Sequence, residues 1–125
     1  KVAVAGDVLV QGTGKNTART VGNLCVAKNA EEALRKFKQN DILVMPAVSR
    51  QLLGLLIRAS GLIVESDDLA LDAGEICRDC EIPIIVGADR ATSVLRSGIS
   101  VGVDASQGLV YNAASLNNRK VKGEE

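Results

Sequence analysis

The sequence predicts an α/β domain with a mostly parallel sheet, helices packed on that sheet and a small antiparallel layer. Strand-like apolar runs alternate with helical patterns through the middle of the chain, an order that favours parallel strands. Two strand patterns then follow each other directly near the end, and suggest an antiparallel pair. The 125 residues fit one domain, and their 46% hydrophobic and 2% aromatic content predicts a core of Val, Ile, Leu and Ala.

Short apolar runs bounded by polar residues, Gly or Pro predict the strands. They are Asn23–Lys28, Ile42–Met45, Leu62–Val64, Ile84–Val86, Ile99–Val103 and Leu109–Tyr111. Lys1–Val10 has valines at a spacing of two around Gly6-Asp7 and predicts one or two further short strands. Residues 11–22 are small and polar, so we expect a loop or linker there.

Helical periodicity and capping residues predict four helices. Asn29 is a good N-cap with Glu32 at the capping-box position, and the following residues share one apolar face. A second helix is expected after Ser49, with Leu52, Leu55, Leu56 and Ala59 on its buried face and Gly61 as a left-handed C-terminal residue. The third covers Leu69–Cys80 and the fourth Ala91–Leu95.

Composition excludes several function classes. Fifteen basic and fifteen acidic residues cancel, so charge favours neither nucleic acid nor an anionic membrane. No apolar run approaches the roughly 20 residues of a membrane span. Three cysteines favour reduced thiols over a disulfide framework. The chain has no histidine, which removes the commonest general base and metal ligand. Because it starts at Lys1 without a signal-like segment or Met, we expect a fragment of a longer protein.

The segment G-T-G-K-N-T (12–17) is not a phosphate-binding loop. A Walker loop needs Gly five residues before the Gly-Lys pair, where Leu9 stands, and Ser or Thr after the Lys, where Asn16 stands. The dinucleotide pattern fails because Thr17 replaces its third glycine. A flexible turn with solvated Lys15 and Arg19 is the expectation.

The stretch from Glu65 to Gly87 is the candidate site, because it connects a strand, a helix and another strand and is rich in reactive side chains. Asp67 or Asp68 can cap the predicted helix. Glu65, Asp67, Asp68, Asp72 and Glu75 could hold a hard cation such as Mg²⁺, with Asp67, Asp68 and Asp72 as weak candidates, although most acidic turns are solvated caps. Cys77 and Cys80 lie at the helix C-terminal end, where the dipole does not activate thiols, and are expected in the core.

Several motifs, in order, resemble one known family. They are V-A-K-N-A-E-E-A (26–33), I-L-V (42–44), R-A-S-G-L-I-V-E (58–65), I-P-I-I-V-G (82–87), A-T-S-V-L (91–95) and V-D-A-S-Q-G-L-V-Y (103–111). The family is the mobile phosphohistidine domain of phosphoenolpyruvate-utilising enzymes, in particular the copy appended to the C-terminus of many bacterial pyruvate kinases.

The resemblance implies a swivelling β/β/α fold and a division of the chain. Residues 1–10 would be the last strand of the preceding regulatory domain, 11–22 a linker, 23–116 the mobile domain and 117–125 a disordered tail. In phosphate-transferring relatives the central stretch reads Gly-Gly-Leu-Thr-Ser-His-Ala, and its His accepts the phosphoryl group. Here the same positions read D-D-L-A-L-D-A (67–73), so Asp72 replaces the His and two hydroxyls are lost.

The implied function is that of a non-catalytic accessory domain, without catalytic or cofactor-binding residues of its own. The whole enzyme would be a cytoplasmic, homotetrameric pyruvate kinase of glycolysis, using Mg²⁺ and K⁺, and the domain's partners would be its other domains and neighbouring subunits. Two alternatives stay open. The domain could relay phosphate through Asp72, since aspartate forms acyl phosphates in some enzymes, or it could be a free-standing binding domain of the same fold.

Overall fold

The computed structural model describes residues 7–69 and 82–113, which form one mixed sheet with short helices on it. The strands are β1 (Val8–Gln11), β2 (Thr13–Gly14), β3 (Arg19–Val26), β4 (Ile42–Met45), β5 (Gly61–Val64), β6 (Ile84–Val86), β7 (Ser100–Asp104) and β8 (Leu109–Asn112). The helices are α1 (Ala30–Lys36), α2 (Leu53–Leu56), preceded by a 3₁₀ turn at Arg50–Leu52, and α3 (Ala91–Val94).

The strand order is β1-β8-β7-β3-β4-β5-β6-β2. Strands β3, β4, β5 and β6 run parallel, whereas β1, β8 and β7 continue the sheet in antiparallel pairings beyond β3. β3 joins the two parts, because its first half pairs with β7 and its second half with β4. The predicted α/β class with an added antiparallel layer is confirmed, and the antiparallel part is larger than expected.

The two strands at the ends of this order, β1 and β2, are separated along the chain by Gly12 alone. β1 pairs with β8, and β2 pairs with β6. The Gly12 amide donates to the Gly108 carbonyl at 2.8 Å, and the Lys15 amide donates to the Ile84 carbonyl at 2.8 Å. Residues 8–15 therefore close the sheet by linking its antiparallel part to the outer parallel strand.

This closure corrects the prediction of a loop over residues 11–22. That segment contains β2 and the first half of β3, which begins at Arg19 instead of Asn23. Gly, Lys and Asn are depleted in strands and give residues 12–16 a weak local strand signal, so here the partner strands decide the conformation. Arg19 keeps a 71% exposed side chain, as expected. The assignment of residues 1–10 to a preceding domain remains a prediction, while Val8–Gln11 pair within this sheet.

The core lies on both faces of the parallel strands. Alternate residues of β4 point in opposite directions: Leu43 and Met45 contact the side covered by α1 and α2, and Ile42 and Val44 contact the side closed by β7, β8 and α3. All four residues of β4 and of β5 are buried. Strands buried on both faces read as continuous apolar runs, and this explains why they were predictable from sequence.

Helix α1 begins as predicted. The Asn29 side chain accepts a hydrogen bond from the Glu32 amide at 2.8 Å, and the Glu32 carboxylate accepts one from the Lys28 amide at 2.7 Å. This pair resembles a capping box, except that Glu32 accepts from the amide of Lys28, one residue before the N-cap Asn29. Because the Lys28 amide donates to it, with Lys36 and Arg35 adding positive charge nearby, the pKa of the Glu32 carboxyl is lowered.

The second predicted helix is shorter than expected. Leu52, Leu55, Leu56 and Ala59 are buried as predicted, but Ser49 makes no side-chain cap bond. The predicted left-handed Gly61 is wrong: it is the first residue of β5, and its φ is not among the positive values of the described residues. The Arg58 and Ala59 amides donate to the carbonyls of Leu55 and Leu56, three residues earlier, so the helix ends in a 3₁₀-type turn before Gly61.

Candidate functional site

The candidate site lies where the parallel strands β4, β5 and β6 end. The chain leaves β5 through Glu65 and Ser66, whose amides donate to the carbonyls of Met45 and Pro46 at 3.1 and 3.0 Å. The Gly87 amide, just after β6, donates to the Ser66 carbonyl at 2.8 Å. The predicted position at the carboxyl edge of the sheet is therefore where the structure places the described part of the acidic stretch.

Glu65 is used to hold a neighbouring helix. Its Oε2 accepts hydrogen bonds from the Thr92 amide at 2.7 Å and from the Thr92 hydroxyl at 2.6 Å. Arg90, the N-cap of α3, is left-handed with φ 64° and makes no side-chain cap bond. Glu65 thus caps α3 from another part of the chain, where a carboxylate suits the free amides of a helix start. Sequence reasoning missed this role because the partners are 27 residues apart.

Asp67 and Asp68 are exposed in the turn that follows Ser66. The Asp68 amide donates to the Ser66 hydroxyl at 3.2 Å. Gly87, with φ 65°, leaves room for Asp67, whose Oδ1 would lie 2.8 Å from a Cβ at that position. The turn is thus built from local hydrogen bonds and one close approach to a glycine.

Asp72, the third weak metal candidate and the predicted counterpart of the phosphoacceptor, lies outside the described residues. The same holds for Glu75, Cys77 and Cys80, and for all of the predicted helix Leu69–Cys80 except Leu69. Within residues 7–69 and 82–113, no group of three Asp, Glu, Cys or His side chains converges to bind a metal. The magnesium hypothesis and the assignment of Asp72 remain predictions.

A second carboxylate with a structural role, that of Asp104, was not predicted from the sequence. Asp104 ends β7 and is 4% exposed; its oxygens accept from the Ser106 amide at 3.0 Å, the Ser106 hydroxyl and the Gln107 side-chain amide at 2.9 Å. Burial raises the pKa of the Asp104 carboxyl, but the hydrogen bonds from Ser106 and Gln107, helped by Arg19, outweigh burial and lower it overall. The motif D-A-S-Q-G (104–108) is therefore a turn organised around a buried carboxylate.

That turn also fixes the closing strand. A Cβ on Gly14 would lie 1.6 Å from the Ala105 carbonyl oxygen, and one on Gly108 would lie 2.1 Å from the Gly12 carbonyl oxygen. Only glycine allows these backbones to approach so closely. The glycines of G-T-G (12–14) serve this contact, and the amide of Lys15 is engaged in the sheet.

A groove of about 430 Å³ lies at the opposite, amino-terminal side of β4, lined by Arg35, Lys36, Lys38 and Asp41 together with residues 23–25 and 97–98. Of the cations that line it, Lys36 is engaged with its own neighbours. Lys36 Nζ donates to the Val26 carbonyl at 2.9 Å and lies 3.6 Å from a Glu32 oxygen. Arg35 and Lys36 stand in the last turn of α1, where positive charge offsets the helix dipole.

Cys25 forms part of the floor of this groove and is buried. Desolvation by burial raises the pKa of its thiol, and the nearby Asp41 carboxylate adds to the effect. The thiol is therefore kept protonated, which suits a core residue and not a nucleophile.

The fold and its acidic carboxyl edge define a class: a swivelling-type α/β domain with its candidate site at a strand-to-helix turn. Residues 37–108 match the family model of the PEP-utilising enzyme mobile domain. The chain belongs to the family of PEP-utilising enzyme mobile domains.

Individual proteins similar to this chain include pyruvate kinases and a phosphoenolpyruvate synthase. The chain is 37% identical over 111 residues to pyruvate kinase of Bacillus licheniformis, covering 89% of this chain and 19% of that protein. It is 35% identical over 117 residues to pyruvate kinase of Lactobacillus delbrueckii subsp. bulgaricus, covering 94% and 20%, and 31% identical over 120 residues to phosphoenolpyruvate synthase of Aeropyrum pernix, covering 96% and 14%. The chain thus spans a fifth or less of the length of these relatives.

Solved structures agree on the fold. Aconitase X of Thermococcus kodakaraensis aligns with a TM-score of 0.64 at 19% identity, over 82% of this chain and 95% of that chain. A solution structure of Enzyme I aligns with a TM-score of 0.52 at 19% identity, over 70% and 38%. In the part of the chain that the structure describes, no helix has the length and hydropathy needed to cross a membrane.

Proposed function

We propose that this chain is a non-catalytic accessory domain of a pyruvate kinase, and that the whole enzyme transfers phosphate between phosphoenolpyruvate and ADP. The observation that carries the proposal is the 37% identity to a pyruvate kinase over 89% of the chain, combined with the complete absence of histidine from these 125 residues. A phosphohistidine cannot form in a chain without histidine.

The chemistry of the carboxyl edge supports the loss of phosphoryl transfer. A phosphate site at a helix start needs free amides and neutral or positive surroundings. Here Glu65 occupies an amide at the start of the neighbouring helix α3, and Asp67 and Asp68 add exposed carboxylates to the turn after β5. These negative charges would repel an incoming phosphate and compete for donors.

In this proposal the catalytic residues, Mg²⁺ and K⁺ belong to the rest of the parent enzyme, which acts in glycolysis in the cytoplasm as a homotetramer. The domain contributes stability, regulation or contacts to the other domains and to neighbouring subunits. No catalytic, cofactor-binding or metal-binding role is given to its own side chains, and Asp72 is a degenerate phosphoacceptor position.

Deletion of residues 8–125 from the full-length enzyme, which removes every described strand of this sheet, tests the proposal. We expect turnover in a coupled assay of pyruvate formation to be retained, while thermal stability or the response to effectors changes. Loss of all activity in a deletion variant that still assembles as a tetramer would contradict the accessory role.

A second candidate is a phosphoryl carrier that uses Asp72, favoured by the likeness to phosphoenolpyruvate synthases. Incubation of the full-length protein with phosphoenolpyruvate labelled at phosphorus discriminates. An acyl phosphate would be acid-stable, cleaved by hydroxylamine and absent in Asp72→Asn, whereas the accessory role predicts no label on this domain. Upstream coding sequence without a kinase would instead favour a free-standing binding domain.

A further inference from the structure

One row of residues crosses the antiparallel part of the sheet on its outer face. Val21 lies opposite Gly102, Gly102 opposite Tyr111, and Tyr111 opposite Val8. Directly paired residues project to the same face of a sheet. The alternate residues of these strands, including Val101, Val103 and Val110, project to the other face and are buried in the core. The row is therefore turned away from the core.

The row is a continuous apolar surface. Val21 and Val8 are 55% and 48% exposed, and the Tyr111 ring lies across Gly102, where a Cβ would be 2.3 Å from a ring carbon. Because Gly102 has no side chain, the Tyr111 ring of β8 can lie over β7. Among the described residues, none hydrogen-bonds the Tyr111 hydroxyl.

Exposed polar residues border this row: Arg19 and Asn23 on β3, and Gln11 on β1. An apolar centre containing an aromatic ring, inside a polar rim, is the arrangement of a protein–protein interface. The other large aliphatic residues that are exposed in the described part of the chain are Leu34, Ile57 and Val94, which lie on or next to helices, and Ile99, which directly precedes β7 and is outside the row. Single exposed apolar residues of that kind are normal.

We propose that the row Val8–Tyr111–Gly102–Val21 is the surface on which the preceding part of the same polypeptide docks, presenting aliphatic side chains and a hydrogen-bond acceptor for the Tyr111 hydroxyl. This rests on the proposed function, in which the chain is the C-terminal domain of a longer enzyme. Val8 belongs both to the row and to the strand through which the chain enters the domain, and the relatives are about five times longer than the match.

A tethered occupant explains why a small row suffices. An occupant that belongs to the same polypeptide meets the row at a high effective concentration, on the order of millimolar when the connection is short. Three apolar side chains would be too few to hold a separate protein, since stable interfaces between separate proteins bury roughly 800 Å² on each partner.

Cysteine labelling in the full-length protein tests the proposal. Val21→Cys is compared with Ile57→Cys, a matched control that is 64% exposed against 55% for Val21. Peptide mass spectrometry follows modification of each by a maleimide in the folded protein, and Val8→Cys repeats the measurement on the first strand. We expect Cys at 21 and 8 to react at least about tenfold more slowly than Cys at 57, because a covered site reacts only when it opens. The rates should become equal in urea.

Equal rates at positions 21 and 57 in the folded protein would overturn the proposal. Protection that disappears on dilution would assign the row to a second copy, and protection lost on removal of residues 114–125 would assign it to the chain's own end; either result also overturns it. A kinase assay on the same samples tests the proposed function separately. Full activity with equal labelling rates refutes only the docking surface, whereas a folded but inactive full-length protein refutes the pyruvate kinase function.

Discussion

Replacement of Gly14 by alanine tests whether residues 11–14 are part of the sheet. Gly14 is in β2, paired with Ile85 of β6, and its added Cβ would lie 1.6 Å from the carbonyl oxygen and 2.6 Å from the carbonyl carbon of Ala105. These are backbone atoms on a turn held by Asp104, so no side-chain rotation can relieve the clash. Either β2 or the turn must move.

The size of the effect follows from what that movement breaks. Overpacking of a well-packed site costs about 1–3 kcal/mol, and each lost internal hydrogen bond costs about 0.5–1.5 kcal/mol. Displacing β2 would disrupt its pairing with β6 and the hydrogen bond from the Lys15 amide to the Ile84 carbonyl. We therefore expect Gly14→Ala to lower the free energy of unfolding by about 3 kcal/mol, or the Tm by roughly 10–20 °C.

Gly54→Ala is the matched control, because a Cβ on Gly54 meets nothing within 4 Å. Its expected effect is a stabilisation of about 0.5–1 kcal/mol, since alanine is the better helix former. Urea unfolding followed by far-UV circular dichroism measures both variants, as the chain has no tryptophan. If Gly14→Ala unfolds within about 0.5 kcal/mol of the parent, the size of a neutral surface change, residues 11–14 act as a linker and the closure of the sheet is refuted.

Four further predictions concern single side chains. Asp104→Asn should lower the free energy of unfolding by about 1–3 kcal/mol at pH 7. The pKa of the Asp104 carboxyl in the folded protein lies below its unfolded value of about 3.9, so its stabilising contribution is present above that pH and is lost as the pH falls through the folded pKa. In urea unfolding at a series of pH values, the variant should therefore lose less stability with acid than the parent. Glu65→Ala should cost about 2 kcal/mol by removing the cap of α3, and hydrogen exchange at Thr92 should accelerate; unchanged exchange would contradict that cap. Asn29→Ala should cost about 1 kcal/mol in the same unfolding assay. The native thiol of Cys25 should react with a maleimide only after unfolding, because burial raises its pKa and shields it; rapid labelling of the folded protein would contradict its place in the core.

Much of the fold could be predicted because its signals are local. The capping box at Asn29 and Glu32 lies within four residues, and the apolar runs of β4, β5 and β6 mark strands buried on both faces. The position of the acidic turn at the carboxyl edge follows from the alternation of strand and helix alone. Residue order and spacing also carried the resemblance to the mobile-domain family, which the match of residues 37–108 confirms.

The rest depended on partners that are distant in sequence. Thr13 and Gly14 lack the apolar alternation that marks a strand, and they form one because β6 and the turn at Ala105 lie beside them. Glu65 was predicted as part of an acidic candidate site, yet its carboxylate accepts hydrogen bonds from Thr92 of α3. The role of Asp104 depends on its burial at the end of β7 and on its bonds to Ser106 and Gln107, which no local sequence pattern indicates.

By itself, the sequence determined the class of domain, the order of its apolar strands and of its first helices, and the absence of histidine from the chain, because periodicity, caps and composition are properties of the chain alone. Only the tertiary structure decided that residues 8–15 close the sheet and that Val8, Tyr111 and Val21 form one row on its outer face. Strand pairing joins residues about 70 to 100 positions apart, as in Val8 with Tyr111 and Gly14 with Ile85. No local pattern specifies such partners, because the free energy that selects them comes from packing the complete sheet.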